Sequence, residues 1–173
     1  MTVEFEFRTP LAMPVEEAFE RSLSIDLHVA SMAASHERAI GGVTSGRIGL
    51  GEEVTWRTRQ FGMPITMTSR ITELEAPNWF VDEQVRGPFR SYRHEHAFIA
   101  EGDGTLMIDH VVFEAPLGRL SEAVVGPRLQ RLIAERNAYL AASGRPPSAW
   151  HRVNAPRPTS TASPKGGSTP SSS

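Results

Sequence analysis

The chain contains no cysteine. Disulfides, thiolate chemistry and cysteine-ligated metals are therefore excluded. Lysine is nearly missing too: Lys165 is the sole one, so almost every cation is an arginine. Neither sign of charge dominates. The formal net charge is −2, which argues against nucleic acid or an anionic membrane surface as partner. No stretch approaches the roughly 20 apolar residues that span a bilayer, so no integral membrane association is expected. Glu4, Glu6 and Arg8 stand where a signal peptide carries its apolar segment, and the cytoplasm is the expected location. A phosphate-binding loop is lacking as well. Gly41, Gly42, Gly46, Gly49 and Gly51 punctuate one segment, but without the GxxxxGK[ST] spacing or a following helix. They read as turns and a bulge. No internal repeat is visible.

What is present is alternation. Val3, Phe5 and Phe7 alternate with Glu4, Glu6 and Arg8, the pattern of a half-buried strand. Pro10 and Pro14 end it. Val15, Ala18 and Phe19 share one face of a short helix to about Leu23, with Glu16 and Glu17 at its positive end. A second short helix is expected over Ile25–Ala33 with Ser24 as N-cap. His36–Ile40 reads as a short strand. Five strands then follow in train: Glu52–Phe61, one carrying Ile65, Met67 and Ile71, Trp79–Arg86, Phe89–Ala100 and Thr105–Glu114. The turns between them are Gly62-Met63, Ala76-Pro77-Asn78, Gly87-Pro88 and Gly102-Asp103-Gly104. A long amphipathic helix over about Leu117–Ala142 closes the domain. Gly126-Pro127 is expected to kink or restart it. Its stripe is Leu129, Leu132, Ile133, Arg136 and Leu140. Residues 1–143 form one domain by this reading. Residues 144–173, rich in Pro, Ser, Thr and Gly, form a disordered tail. Trp150 is the one residue there suited to pack on the domain.

The expected fold class is α+β: a curved antiparallel sheet wrapped on a long C-terminal helix, with two short helices after the first strand. That order resembles the START / Bet v 1-like superfamily, which includes polyketide cyclase/dehydrase and lipid-transport members. The phrases carrying the resemblance are Gly49-Leu-Gly-Glu-Glu-Val-Thr-Trp56-Arg, Phe80-Val-Asp-Glu-Gln-Val-Arg-Gly-Pro-Phe89, His94-Glu-His96-Ala-Phe98, Gly104-Thr-Leu-Met-Ile-Asp109 and Pro116-Leu-Gly. It covers about residues 1–142. It implies a helix-grip fold of about seven strands with a cavity between helix and sheet. Carriers, receptors and cyclases share that superfamily, so the resemblance alone assigns no activity.

The residues of interest follow from register. An even loop at Glu101–Gly104 pairs Ala100 with Thr105, Phe98 with Met107, His96 with Asp109 and His94 with Val111. Met107, Val111 and Phe113 make that face apolar, and the resemblance turns it inward. His96 and Asp109 are then an internal pair, an anchor for a ligand hydroxyl or carbonyl, or a general acid/base pair. Arg136 interrupts the helical stripe and either reaches Asp109 or a ligand, or leaves for solvent. Trp56 and Met67 lie on neighbouring strands, as packing or as recognition. His94, His96 and Glu101 resemble part of a cupin metal motif. The second half of that motif is missing and Glu101 falls in a turn, so neither metal nor cofactor is expected. Asp82 and Glu83 point to opposite strand faces and do not form a glycosidase pair. The inward face of Trp79–Arg86 stays open. The expectation is a protein that binds or carries an apolar small molecule, lipid or polyketide-like, as a monomer or homodimer. A cyclase or dehydratase working through His96 and Asp109 is the alternative, and a protein-interaction module the third reading. The expected ligand contacts are Trp56, Met67, His94, His96, Phe98, Met107, Asp109, Val111, Phe113, Leu129, Leu132, Ile133 and Arg136.

Overall fold

The structure, a computed structural model, describes residues 2–60, 63–116 and 119–144. The proposed tail with Trp150 lies outside them, as do Phe61 at the end of one expected strand, Gly62 of the turn after it and the helix approach at Leu117-Gly118.

Strand β1 spans Thr2–Leu11, and helices α1 and α2 span Val15–Ser22 and Ile25–Ser31. Pro14 caps α1 and Glu16 and Glu17 sit in its first turn, while Ala18 and Phe19 bury its inner face. The Ser24 side chain accepts the Leu27 N–H at 3.3 Å, so α2 starts where its N-cap residue predicts. A single 3-10 turn at Ala33–Ser35 leads to β2, Arg38–Gly42. Then come β3 (Glu53–Gln60), β4 (Met63–Glu75), β5 (Trp79–Arg86), β6 (Ser91–Glu101) and β7 (Gly104–Glu114). Helix α3, Arg119–Ser143, runs on through Pro127. Of the kink or restart expected at Gly126-Pro127, the restart does not occur.

Neighbouring strands pair antiparallel in the order β1-β7-β6-β5-β4-β3-β2. The chain meanders from β2 to β7 and β1 closes the far edge. Gly102 takes φ +59° in the β6–β7 turn, a conformation that favours glycine. That turn fixes the register: Phe98 pairs Met107, His96 pairs Asp109 and His94 pairs Val111, as expected. At the end of β2 Gly42 has φ +68°, and a Cβ there would stand 2.0 Å from the Glu53 carbonyl oxygen. No other residue fits without moving the strand.

The sheet's outer face is ionic. Arg93 bridges Glu73, Glu83 and Glu95, and Arg70 pairs Glu53. The inner face divides in two. One apolar cluster gathers Phe19, Leu23, Phe80, Phe98, Met107 and Leu140. The other gathers Tyr92, Val111, Phe113, Ala115 and Ile133. Along β6, β7 and α3 alike, polar residues separate the two: His94 and His96, Asp109, and Arg136 with Asn137. A polar belt therefore crosses the middle of an apolar interior.

Candidate functional site

Asp109 is the centre of the belt and is fully buried. Its carboxylate accepts hydrogen bonds from His94 Nε2 (2.8 Å), Arg136 Nη1 (3.0 Å) and Asn137 Nδ2 (2.7 Å). Asn137 also donates to Thr9 Oγ1 at 3.1 Å, tying α3 to β1 through the same group. Arg136 therefore turns inward and pairs with Asp109, one of the two outcomes its place on the stripe allowed. Burial pushes the Asp109 carboxyl up, but the Arg136 guanidinium and the two histidines outweigh it. The net result, with Arg136 and the His94 hydrogen bond dominant and His96 acting by proximity alone, is a carboxyl held well below the usual range.

In front of Asp109 stand two imidazoles, His94 and His96, with ring centroids 3.8 Å apart. His96 is also stacked on Phe80 at 4.1 Å. His96 Nε2 donates to Asp82 Oδ2 at 3.0 Å, and His94 Nδ1 lies 3.7 Å from the same oxygen. His96 Nδ1 comes within 2.9 Å of Asp109 Oδ1, but off the line of a hydrogen bond, and is left buried without a partner. Tyr92 Oη is 3.4 Å from His94 Nδ1. Burial lowers the His94 pKa, helped by the neighbouring charge of His96, against the pull of Asp109. Burial raises Asp82, but the His96 hydrogen bond and the charges of His94, His96 and Arg136 reverse it, and the net shift is down. Burial and the charge of Asp82 raise the Tyr92 phenol well above its ordinary value, so it remains a donor.

This belt forms one wall of a cavity of about 330 Å³ between the sheet and helices α2 and α3. The volume falls at the lower end of the range of about 300–1,000 Å³ common to small-molecule sites. Its lining is predominantly apolar, with Trp56, Met67, Ile71, Phe80, Leu129 and Leu132 prominent. Asp82, His94, His96 and Arg136 reach its surface, as does Ser69, whose buried hydroxyl finds no protein partner. At another part of the wall His28 stacks on Trp56 at 4.3 Å, and its Nε2 meets Glu37 Oε1 at 2.7 Å.

Of the residues expected to meet a ligand, Trp56, Met67, His94, His96, Leu129, Leu132, Ile133 and Arg136 line this cavity. Phe98, Met107, Val111, Phe113 and Asp109 do not. Phe98 and Met107 are packed under Phe19 and Leu23, and Val111 and Phe113 under Ile133 and Tyr92. The β7 side chains are inward, as expected, but the space above them is filled. Asp109 sits behind the histidines, and Glu101 is exposed at its hairpin. Tyr92, Asn137 and Ser69 were not singled out from the sequence, and Asp82 was named there only to set aside a glycosidase pair with Glu83. Asp82 could have been found, since β5 pairs it directly with His94 and pairs Phe80 with His96. Among the described residues, no helix is long and apolar enough to cross a membrane.

No family model matches the sequence, and no curated protein sequence matches it. Solved structures do share its fold. The Zhui aromatase/cyclase from Streptomyces sp. R1128 is 14% identical, covers 84% of this chain and 100% of its own, and superposes with a TM-score of 0.63. Major latex-like protein 151 from Panax ginseng is 15% identical over 84% of this chain and 99% of its own, with a TM-score of 0.62. A Staphylococcus aureus protein of unknown function is 12% identical, covers 83% and 96%, and gives a TM-score of 0.63. The chain has the Bet v 1-like fold: a seven-stranded curved antiparallel sheet, a long C-terminal helix and two short helices after the first strand.

Proposed function

We propose that the chain binds an apolar small molecule of lipid or polyketide-like character that carries at least one oxygen function. The cavity carries the reading. It is apolar on most of its wall, and its polar groups are gathered at the belt rather than scattered. An apolar body gains by leaving water for such a wall, at about 25 cal/mol per Å² buried. Ser69 adds a hydroxyl-bearing residue to the wall. Tyr92 and Arg136 offer further donors at the belt end.

A second reading, a cyclase or dehydratase, has support in the imidazoles on the wall. His96 with Asp82 at 3.0 Å is an oriented acid/base pair beside the ligand space. The carboxylate for such chemistry is Asp82, since Asp109 does not reach the cavity.

An environment-sensitive apolar dye tests binding. One dye per chain is expected. Leu132→Trp, on the cavity wall of α3, should abolish it at a stability cost of less than about 3 kcal/mol, because the ring enters open space. Absence of dye binding by the wild type would overturn the reading. Conversion of an offered polyketide by wild type but not by His96→Gln, with binding kept, would establish the second one.

A further inference from the structure

The belt contains more than an acid/base pair requires. A hydrogen-bonded pair needs one imidazole against Asp82. Here a second imidazole presents its own nitrogen to the same carboxylate oxygen. Asp82, His94 and His96 each offer a donor atom, and these atoms lie within 4.8 Å of one another. The two edges meeting at Asp82 Oδ2 measure 3.0 Å to His96 Nε2 and 3.7 Å to His94 Nδ1. An ion bound at about 2.0–2.1 Å to imidazole nitrogen sets neighbouring donors about 3.0–3.4 Å apart, so the spacing suits one small cation.

The far side of the rings points the same way. His94 Nε2 donates to Asp109, and His96 Nδ1 stands 2.9 Å from that carboxylate without a hydrogen bond. With His96 protonated at Nε2, its Nδ1 lone pair is buried against a carboxylate, which is unfavourable. With the proton on Nδ1, a small ring rotation lets it donate to Asp109. Both rings then turn their lone pairs toward Asp82. A carboxylate behind a ligating imidazole, fixing its tautomer and aim, is the usual support of a metal-bound histidine. Asp109 provides it for two rings at once, and Arg136 and Asn137 hold Asp109. Within 4.0 Å, the charged partners of Asp82 among the described residues are these two imidazoles. All three donors line the cavity, so the remaining coordination positions open onto ligand space. The expectation of no metal rested on the missing second half of the cupin motif and on Glu101 lying in a turn; here Asp82, from another strand, stands where a carboxylate ligand would.

We propose that Asp82, His94 and His96 form a two-histidine, one-carboxylate site for a divalent first-row transition ion on the cavity wall. Two nitrogens and one oxygen without sulfur suit zinc, ferrous iron, cobalt or manganese. An ion there would hold and polarise a ligand carbonyl or hydroxyl.

The test uses the full chain, purified without a histidine tag, stripped with chelator and free of added ligand. Its outcome is thereby independent of dye binding. Titration with Co²⁺, followed by visible absorbance, should saturate at one ion per chain, and Zn²⁺ should displace it. Asp82→Asn keeps the side chain's shape and should weaken Co²⁺ binding at least tenfold, with the circular dichroism spectrum unchanged. His110→Ala, on the outer face, should leave binding unaltered. Failure of the wild type to bind either ion at submillimolar concentration would overturn the proposal. So would binding that survives Asp82→Asn and His94→Gln undiminished.

Discussion

Asp109 and Arg136 should behave as one unit, and a double-mutant cycle measures this. The carboxylate is fully buried, Arg136 is 6% exposed, and the two are 3.0 Å apart. Asp109→Leu leaves a guanidinium desolvated without its counter-charge. It also strands the N–H donors of His94 and Asn137. Removal of one partner of a buried pair costs about 3–5 kcal/mol. At about 2–4 °C per kcal/mol for a chain of this size, that is a loss of roughly 6–20 °C in Tm. Arg136→Met should cost a similar amount, because it leaves Asp109 charged and short of its strongest partner. Together the two changes remove both charges, and Leu keeps the branching of Asp while its bulkier methyls use space released by the shorter Met. The double variant should therefore fall short of the summed single losses by about 2–3 kcal/mol, the upper part of the range for residues in contact. Urea unfolding of the four proteins gives the number. Additive losses would show that α3 is not held by this pair and would refute the belt as described.

Acid should weaken the fold in two steps. The folded pKa of His94 is lowered, so the unfolded chain takes its proton first, and stability declines as pH falls through about 6.5. Asp82 and Asp109 are lowered too. Their contribution is present above the unfolded carboxylate value of about 3.9 and is lost as pH falls through their folded values. Denaturant midpoints from pH 8 to 3 read both steps, and a midpoint unchanged from 7 to 5 contradicts the first. His94→Gln should remove that first step and, by taking away a partner of Asp109 and Asp82, move the second toward higher pH. Gly42→Ala should destabilise by more than about 1 kcal/mol, since the left-handed backbone and the Glu53 carbonyl both oppose a Cβ; an unchanged Tm contradicts it. Ser24→Ala should cost about 1 kcal/mol through the lost α2 cap, and hydrogen exchange at Leu27 should report it.

The fold was legible where local rules are strict. Two turn residues set the β6–β7 register, and side-chain alternation carried it eight residues back to His94. The inward Arg136 was legible as a break in an apolar stripe, though its partner was one of two options. Asp82 was not, because Gly87-Pro88 reads as a two-residue turn whereas residues 87–90 join β5 to β6. A one-residue change of register moves every side chain of a strand to the other face. Asn137 lies one residue off the stripe, at a position that helical periodicity assigns to the flank, and its burial depends on β1 and β7 closing over it. Cavity and core were not separable either. Met107 and Val111 alternate as neatly as Trp56 and Met67 do, but α1 and α3 cover the first pair and leave the second facing open space. That difference arises from how the helices sit over the sheet, which no single strand encodes.

The central claim, an apolar small molecule in the cavity, is met most directly by native mass spectrometry of the untagged full chain purified from its own host. The account predicts one organic adduct per chain that is released on denaturation and is missing from Leu132→Trp purified the same way. A bare protein mass for the wild type, together with no uptake of apolar dye, would contradict it.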